Sequence, residues 1–194
     1  MDQHSGRQTR TLTSERIRYP RSAWLKYAYK SPILFYRLGL GWLIGRIFMV
    51  LTTLGRRSGQ PRRTAIEFHT VAGRTYIFAA WAEADWYRNL LADPRVMVQT
   101  ASGSMPARAR RVTDDGELSS LFDMAARNPV IRAMARAGGW KLTREAFLAE
   151  KDRWILIAFE PTRDEVPPAQ RADLAWLWLI LTPVACLVTW LALR

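Results

Sequence analysis

Hydrophobic and polar positions change rhythm several times along this chain, and each change marks an element. The apolar run at residues 47–51, Ile47-Phe48-Met49-Val50-Leu51, predicts a strand. After a bend rich in glycine and arginine, residues 62–71 alternate and predict a second strand. Ala72-Gly73 reads as a hairpin turn into a third strand at 75–80. Residues 84–92 predict a short helix, closed by Asp93-Pro94. Strands follow at 96–100 and 105–112, around a turn at Ser102-Gly103-Ser104. Helices are expected at 114–127 and 129–137, joined at Asn128-Pro129, and a last strand at 153–159. Five or six antiparallel strands with inserted helices predict an α+β fold built on a small, mostly antiparallel barrel.

The two ends have different patterns. Residues 1–13 are polar; Ser14 is placed to cap a first helix broken near Pro20. Lys26, Lys30 and Arg37 would share one face of a continuous helix. Ser31-Pro32 resembles an N-cap followed by proline at the first helical position. Residues 33–44 are strongly apolar, but too short and too interrupted to predict a span. With Trp24, Trp42 and the nearby cations, this segment reads either as a helix lying on a membrane or as one packed on the barrel. Its glycines, Gly39, Gly41 and Gly45, do not form a dinucleotide fingerprint. At the other end, residues 162–173 read as a charged linker with Pro167-Pro168. Residues 174–193 are almost wholly apolar, and as a helix would reach about 30 Å, the thickness of a bilayer core. Trp176, Trp178 and Trp190 sit near the ends of this stretch, where interfacial aromatics sit. The expected organisation is a basic segment at 1–31, a barrel domain at 32–161, a linker at 162–173 and a transmembrane helix at 174–193.

Charge narrows the partners. The 194 residues carry a formal net charge of +12, which predicts an anionic partner: nucleic acid, lipid surface or multiply charged cofactor. The arginines concentrate at one bend rather than along a groove interleaved with aromatics, which argues against nucleic acid. One cysteine, Cys186, excludes an internal disulfide, and with only His4 and His69 no metal site is expected. No cleavable leader is visible, so the barrel domain is expected on the cytoplasmic face of a membrane, held by a single C-terminal span.

The candidate chemistry lies in the bend Leu54-Gly55-Arg56-Arg57-Ser58-Gly59-Gln60-Pro61-Arg62-Arg63. Glycines at 55 and 59 would let backbone N–H groups point outward together. Arginine forks grip phosphate or carboxylate oxygens at two points, and Ser58 adds a hydroxyl donor. The bend is therefore an anion cradle, or else a solvated hairpin tip.

These residues, Thr52 to Arg62, resemble the signature of the deazaflavin-dependent nitroreductase family. Trp86-Tyr87-Arg88-Asn89-Leu90-Leu91-Ala92-Asp93-Pro94 resembles its second signature, and the basic strand 107–112 is a third similarity. The resemblance runs from about residue 33 to residue 159 and implies a split β-barrel of the flavin-reductase type. It implies coenzyme F420, an 8-hydroxy-5-deazaflavin bearing a phosphate and an oligoglutamate tail, with FMN the lesser alternative. Arg57 and Arg62 match the positions that hold phosphate and tail, and Ser58 a donor to the phosphate. Trp86 and Asn89 match positions near the rings; Gly55, Arg56, Thr64, Ala80 and Trp81 complete the expected cofactor contacts. The stretch 79–85 departs from the family's usual Ser-Lys-Gly-Gly-type loop: it is shorter and acidic.

The resemblance implies an oxidoreductase that passes a hydride from the reduced coenzyme to a bound electrophile of nitro or quinone type. The cofactor carries the hard chemistry, so no nucleophile–base set is needed. Tyr87 is a candidate proton donor or a packing residue. A membrane anchor favours a lipophilic acceptor such as a quinone, with lipid as a further contact and a homodimer left open. The alternative is a non-catalytic membrane protein that binds deazaflavin, haem or lipid.

Overall fold

The computed structural model describes residues 23–79, 81–139, 141–149, 151 and 155–194. The features expected at Ser14 and Pro20, and the candidate contact Ala80, lie outside the described residues, as do the side chains of Trp24 and Lys26.

The strands are β1 (Phe48–Leu54), β2 (Pro61–Glu67), β3 (His69–Val71), β4 (Arg74–Ala79), β5 (Arg95–Thr100), β6 (Gly103–Arg111) and β7 (Ile155–Pro161). They form one antiparallel sheet in the order β2-β1-β5-β6-β7-β4-β3. β2 and β3 stand at opposite ends of that order, yet only Phe68 separates them in the chain. The sheet must therefore curl until its ends meet, which makes it a split β-barrel. The second expected strand is thus two strands, with the corner at Phe68. The turn between β3 and β4 is formed by Ala72 (φ +50°) and Gly73 (φ +77°), both left-handed as a two-residue hairpin turn requires.

The sheet has two packed faces. The inner one carries Met49, Leu51, Val96, Val98, Ile77, Ile157 and Phe159. Helix α3 (Asp85–Ala92) plugs it with Tyr87 and Leu90. Beyond the other face, α4 (Asp115–Arg127), α5 (Pro129–Gly138) and α6 (Arg144–Ala149) pack Leu118, Leu121, Ile131 and Phe147 against Tyr76, Leu156 and Ala158. Covered on both sides, β7 is continuously apolar from Ile155 to Phe159. Asp114 caps α4 by accepting from the Glu117 amide at 2.8 Å. Asn128 accepts from the Ile131 amide, and Pro129 opens α5 behind it. Helix α6 was not expected from the sequence; Thr143 accepts from the Ala146 amide at its start.

Helix α1 (Ala23–Arg37) runs straight through Ser31-Pro32, which is therefore not a helix start. Proline removes one helical bond, but the next turn is fixed to the sheet. There Tyr36 donates its hydroxyl to Phe48 O (2.8 Å) and Gln99 O (3.1 Å), and burial pushes that hydroxyl's pKa up to about 12. A short helix, α2 (Gly41–Ile44), follows Gly39 (φ +78°).

The segment expected as a linker is bound along the barrel as a strap. Thr162 N donates to Pro106 O, and Arg108 pairs with Asp164. Gln99 and Gln170 exchange side-chain and backbone bonds, and Arg37 grips Asp173 with its Nε and Nη2. Polar groups along it find partners on the barrel and on α1, which is why a charged, proline-containing stretch is ordered. A 3-10 turn (Ala175–Leu177) then leads into α7 (Trp178–Ala192). Together, Ala175–Ala192 is long and apolar enough to cross a membrane, and none of it is buried.

Candidate functional site

The bend after β1 is a self-closed turn. Gly55 N donates to Gln60 O (2.9 Å), while Ser58 N (3.1 Å) and Gly59 N (2.7 Å) both donate to Gly55 O. Gly59 has φ +63°, and a Cβ on Gly55 would stand 2.8 Å from Ser58 Oγ. Both glycines are therefore needed to make the turn. This corrects most of the expected backbone nest: the Gly55, Ser58 and Gly59 amides are spent inside the turn and the Arg56 amide on Asn89, so the outward donors are mainly side chains.

The arginines of the bend divide into separate roles. Arg56 turns back to α3, donating to Asp85 Oδ1 (2.9 Å) and Asn89 Oδ1 (3.0 Å). Asn89 is buried and also receives the Arg56 amide, while its own amide donates to Thr53 Oγ1 (3.2 Å). Arg56 and Asn89 thus latch the turn to the helix, leaving neither free to project outward. Arg63 lies opposite Thr52 in the register, on the face covered by α1. Arg57 is exposed and has no acidic partner among the described residues. Arg62 pairs in register with Thr53, so its side chain leaves from the inner face. It reaches Ser58 Oγ at 3.4 Å and also has no acidic partner among the described residues. What the turn offers a ligand is therefore two uncompensated guanidinium groups and one hydroxyl. An anion there would relieve their mutual repulsion and gain charge-assisted hydrogen bonds.

The other candidates lie along the same inner face. Thr64 is half-buried and pairs with Leu51. Trp81 is half-buried in the loop before α3. Trp86 packs against the inner core and meets Tyr87 edge-on, with ring centroids 5.9 Å apart. Tyr87 itself belongs to the core; burial raises its hydroxyl pKa, partly offset by Arg111. Arg111 is the residue that sequence reasoning missed. It alternates with Arg110 on β6 and shares the inner face with Ile157, while Arg108 and Arg110 point the other way. Strand parity alone would have separated them. Arg110 is fully engaged, with Glu117 at 2.9 Å and Glu160 at 2.8 Å, and its pKa is raised by both. The hollow lined by Ala126, Arg132, Arg136 and Leu142 lies in the helical layer and includes none of these residues.

The fold is thus a split barrel whose turn after β1 presents two guanidinium groups without acidic partners among the described residues. The family model described as F420H(2)-dependent quinone reductase matches residues 37–137, just over half of the chain. The chain belongs to the F420H(2)-dependent quinone reductase family. It is an F420-dependent reductase, and F420 is its coenzyme. Among solved structures, it is similar to one described as an F420-H2-dependent reductase: 21% identity, 59% of this chain and 95% of that one, TM-score 0.37. It is also similar to a chain described as a domain-swapped dimer, with 18% identity, 59% and 81% coverage and TM-score 0.45. A third is the haem storage protein HutZ from Vibrio cholerae, with 15% identity, 68% and 93% coverage and TM-score 0.43.

The residues present fit the coenzyme's charge. Its anionic portion needs donors without competing carboxylates, and Arg57, Ser58 and Arg62 meet that need, whereas Arg56, Arg108 and Arg110 do not.

Proposed function

We infer that the chain is a membrane-anchored reductase that uses F420H2 to reduce a lipophilic quinone, with its barrel domain on the cytoplasmic face. The observation that carries this reading is the apolar helix Ala175–Ala192, none of it buried, joined to a family reductase domain by an ordered strap. An 18-residue helix spans about 27 Å, close to a bilayer core. Trp176, Trp178 and Trp190 stand near its two ends, where amphipathic rings favour the interface. The family description supports a quinone as the electron acceptor.

In this reading, Arg57, Ser58 and Arg62 bind the coenzyme's anionic portion. Gly55 and Gly59 shape the turn that presents them. The Arg56–Asp85–Asn89 latch fixes the turn against α3, and Trp86 and Thr64 border the space beside it. The bound coenzyme supplies the hydride. The chain's task is to orient the rings and keep water from the reacting face, and the apolar inner core serves the second purpose. Tyr87 acts through packing, because it is buried in the inner core and meets Trp86 edge-on. A second copy of the chain is a further candidate partner, to be read from the mass of the purified protein in detergent.

The test is fractionation combined with turnover. A chain ending after Trp178 keeps the strap and loses the span. It is expected in the soluble fraction, with coenzyme affinity unchanged. Its activity toward a long-tailed quinone in vesicles should fall further than its activity toward a short-tailed quinone in solution. Pelleting equal to that of the full chain would overturn the anchor assignment. Loss of both activities in parallel would overturn the lipophilic-acceptor assignment.

A further inference from the structure

The strap does more than tether α7. It places the root of that helix beside the corner formed by α1 and α2. Leu174 N donates to Arg37 O (2.9 Å), and Trp178 Nε1 donates to Leu38 O (2.9 Å). A Cβ on Gly39 would lie 3.5 Å from Ala175 Cβ.

Beside that root is an apolar surface with no cover. Trp42 is 65% exposed, Leu43 54% and Ile47 58%, and Phe48 at the start of β1 is also exposed. The backbone forces them outward. Gly41 and Gly45 sit so close to Tyr36 that a Cβ on either would fall within 2.8 Å of its ring or hydroxyl. With that side of α2 flush against Tyr36, its large side chains must face away. Arg46, exposed, lies within this stretch, whereas Arg37 is spent on Asp173.

We propose that the Trp42–Phe48 surface is a second membrane contact: an interfacial platform that inserts into the headgroup and upper acyl region of an anionic bilayer. This inference rests on the reading of α7 as the anchor, and it adds the orientation of the domain. Tryptophan and aliphatic side chains beside an exposed arginine, Arg46, match the requirements of that interface. The root of α7 is where the bilayer surface must lie if the helix spans, and the platform is adjacent to it. β1 begins at the platform and ends at the arginine turn seven residues later, about 20 Å away. The platform thus holds the anion-binding turn away from lipid headgroups of the same charge as its ligand, while the barrel extends between the two.

The test uses the full chain in vesicles of 3:1 phosphatidylcholine to phosphatidylglycerol, doped with a lipid nitroxide quencher. An environment-sensitive fluorophore is placed at native Cys186, or at Leu43→Cys or Gln60→Cys in a Cys186→Ser background. The expected result is that the label at 43 is quenched several-fold more than the label at 60 and shifts to the blue on vesicle binding. Equal quenching at 43 and 60 would overturn the platform, whatever Cys186 reports. Shielding of the label at 43 from aqueous iodide without quenching by lipid would also overturn it, because a second copy of the chain would then be the cover. The Cys186 label decides the anchor separately. If it is not quenched, α7 does not span, and the platform stands only as a peripheral contact shown by the label at 43.

Discussion

Two groups of arginines in this barrel have opposite environments. On β6, Arg108 and Arg110 meet Asp164, Glu117 and Glu160 at 2.8–2.9 Å. Tyr76 donates a further bond to Glu117, and the network joins the sheet to α4 and the strap. At the turn after β1, Arg57 and Arg62 have no carboxylate within ion-pair distance among the described residues. Both groups lie at the surface of the same fold and use the same side chain. The difference is that the β6 cations are supplied with counter-charges by the chain, whereas the turn's have none among the described residues and are the ones proposed to meet a ligand. Arg56 stands between the two cases: it belongs to the turn in sequence, but its ion pair with Asp85 makes it part of the scaffold.

The sharpest way to break this comparison is to remove the turn's cations together. Each lost charge-assisted hydrogen bond costs about 1.5–3 kcal/mol, so Arg57→Ala with Arg62→Ala should weaken coenzyme binding by roughly two to four orders of magnitude. Melting should stay within about 2 °C of wild type, since neither side chain joins an ion pair. The reverse pattern is expected on β6. Arg110→Ala leaves Glu117, whose side chain is only 14% exposed, without its main partner. A loss of about 2 kcal/mol and a melting drop of about 4–8 °C are expected by calorimetry, with coenzyme affinity changed less than twofold. Equal effects of the two changes on affinity would erase the distinction.

Arg56→Ala sharpens the comparison at its boundary. Removing the latch should cost about 1 kcal/mol of stability and a few-fold in affinity, because the turn loses its hold on α3 but keeps its free cations. Calorimetry and titration of one sample measure both.

Acid provides the mildest probe. Arg110 and Tyr76 hold the Glu117 carboxyl below its ordinary value of 4.5. A depressed folded-state pKa contributes stability that is fully present above the unfolded value and lost as pH falls through the folded one. Stability should therefore be insensitive to Glu117 near neutrality and decline below about pH 4.5. Glu117→Gln should lower stability at pH 7 and flatten part of that acid decline. If wild type and variant lose stability in parallel on acidification, the β6 network does not carry the expected linkage.

Much of this fold was legible because its signals are local. Asn128-Pro129 marks a junction through a cap and a fixed φ, and the Ala72-Gly73 turn followed by the run Thr75 to Ala79 marks a strand wherever the rest of the chain goes. The arginine turn was legible as a feature, and its glycines were needed, although for closing the turn rather than for opening amides to a ligand. What the sequence could not show depends on partners distant in the chain. Nothing near Arg56 reveals that Asp85 and Asn89 will claim it, and nothing in 162–173 reveals that Gln99 and Arg37 will bind it as a strap. Pro32 was read by its usual preference for a first turn, but the contacts of Tyr36 carry the helix past it. Arg111 was legible in principle, since strand parity puts it on the face opposite Arg108 and Arg110; which of the two faces is the inner one came only with the register of β6.

The central claim is that Arg57 and Arg62 bind the anionic portion of the coenzyme rather than its rings. The most direct measurement is a pair of fluorescence titrations, one with intact F420 and one with the same deazaflavin lacking phosphate and tail, each against wild type and Arg57→Ala. The account predicts that the variant binds intact F420 about ten- to hundredfold more weakly, and the tailless ring system as well as wild type does. Equal losses for both ligands, or no loss for intact F420, would contradict it.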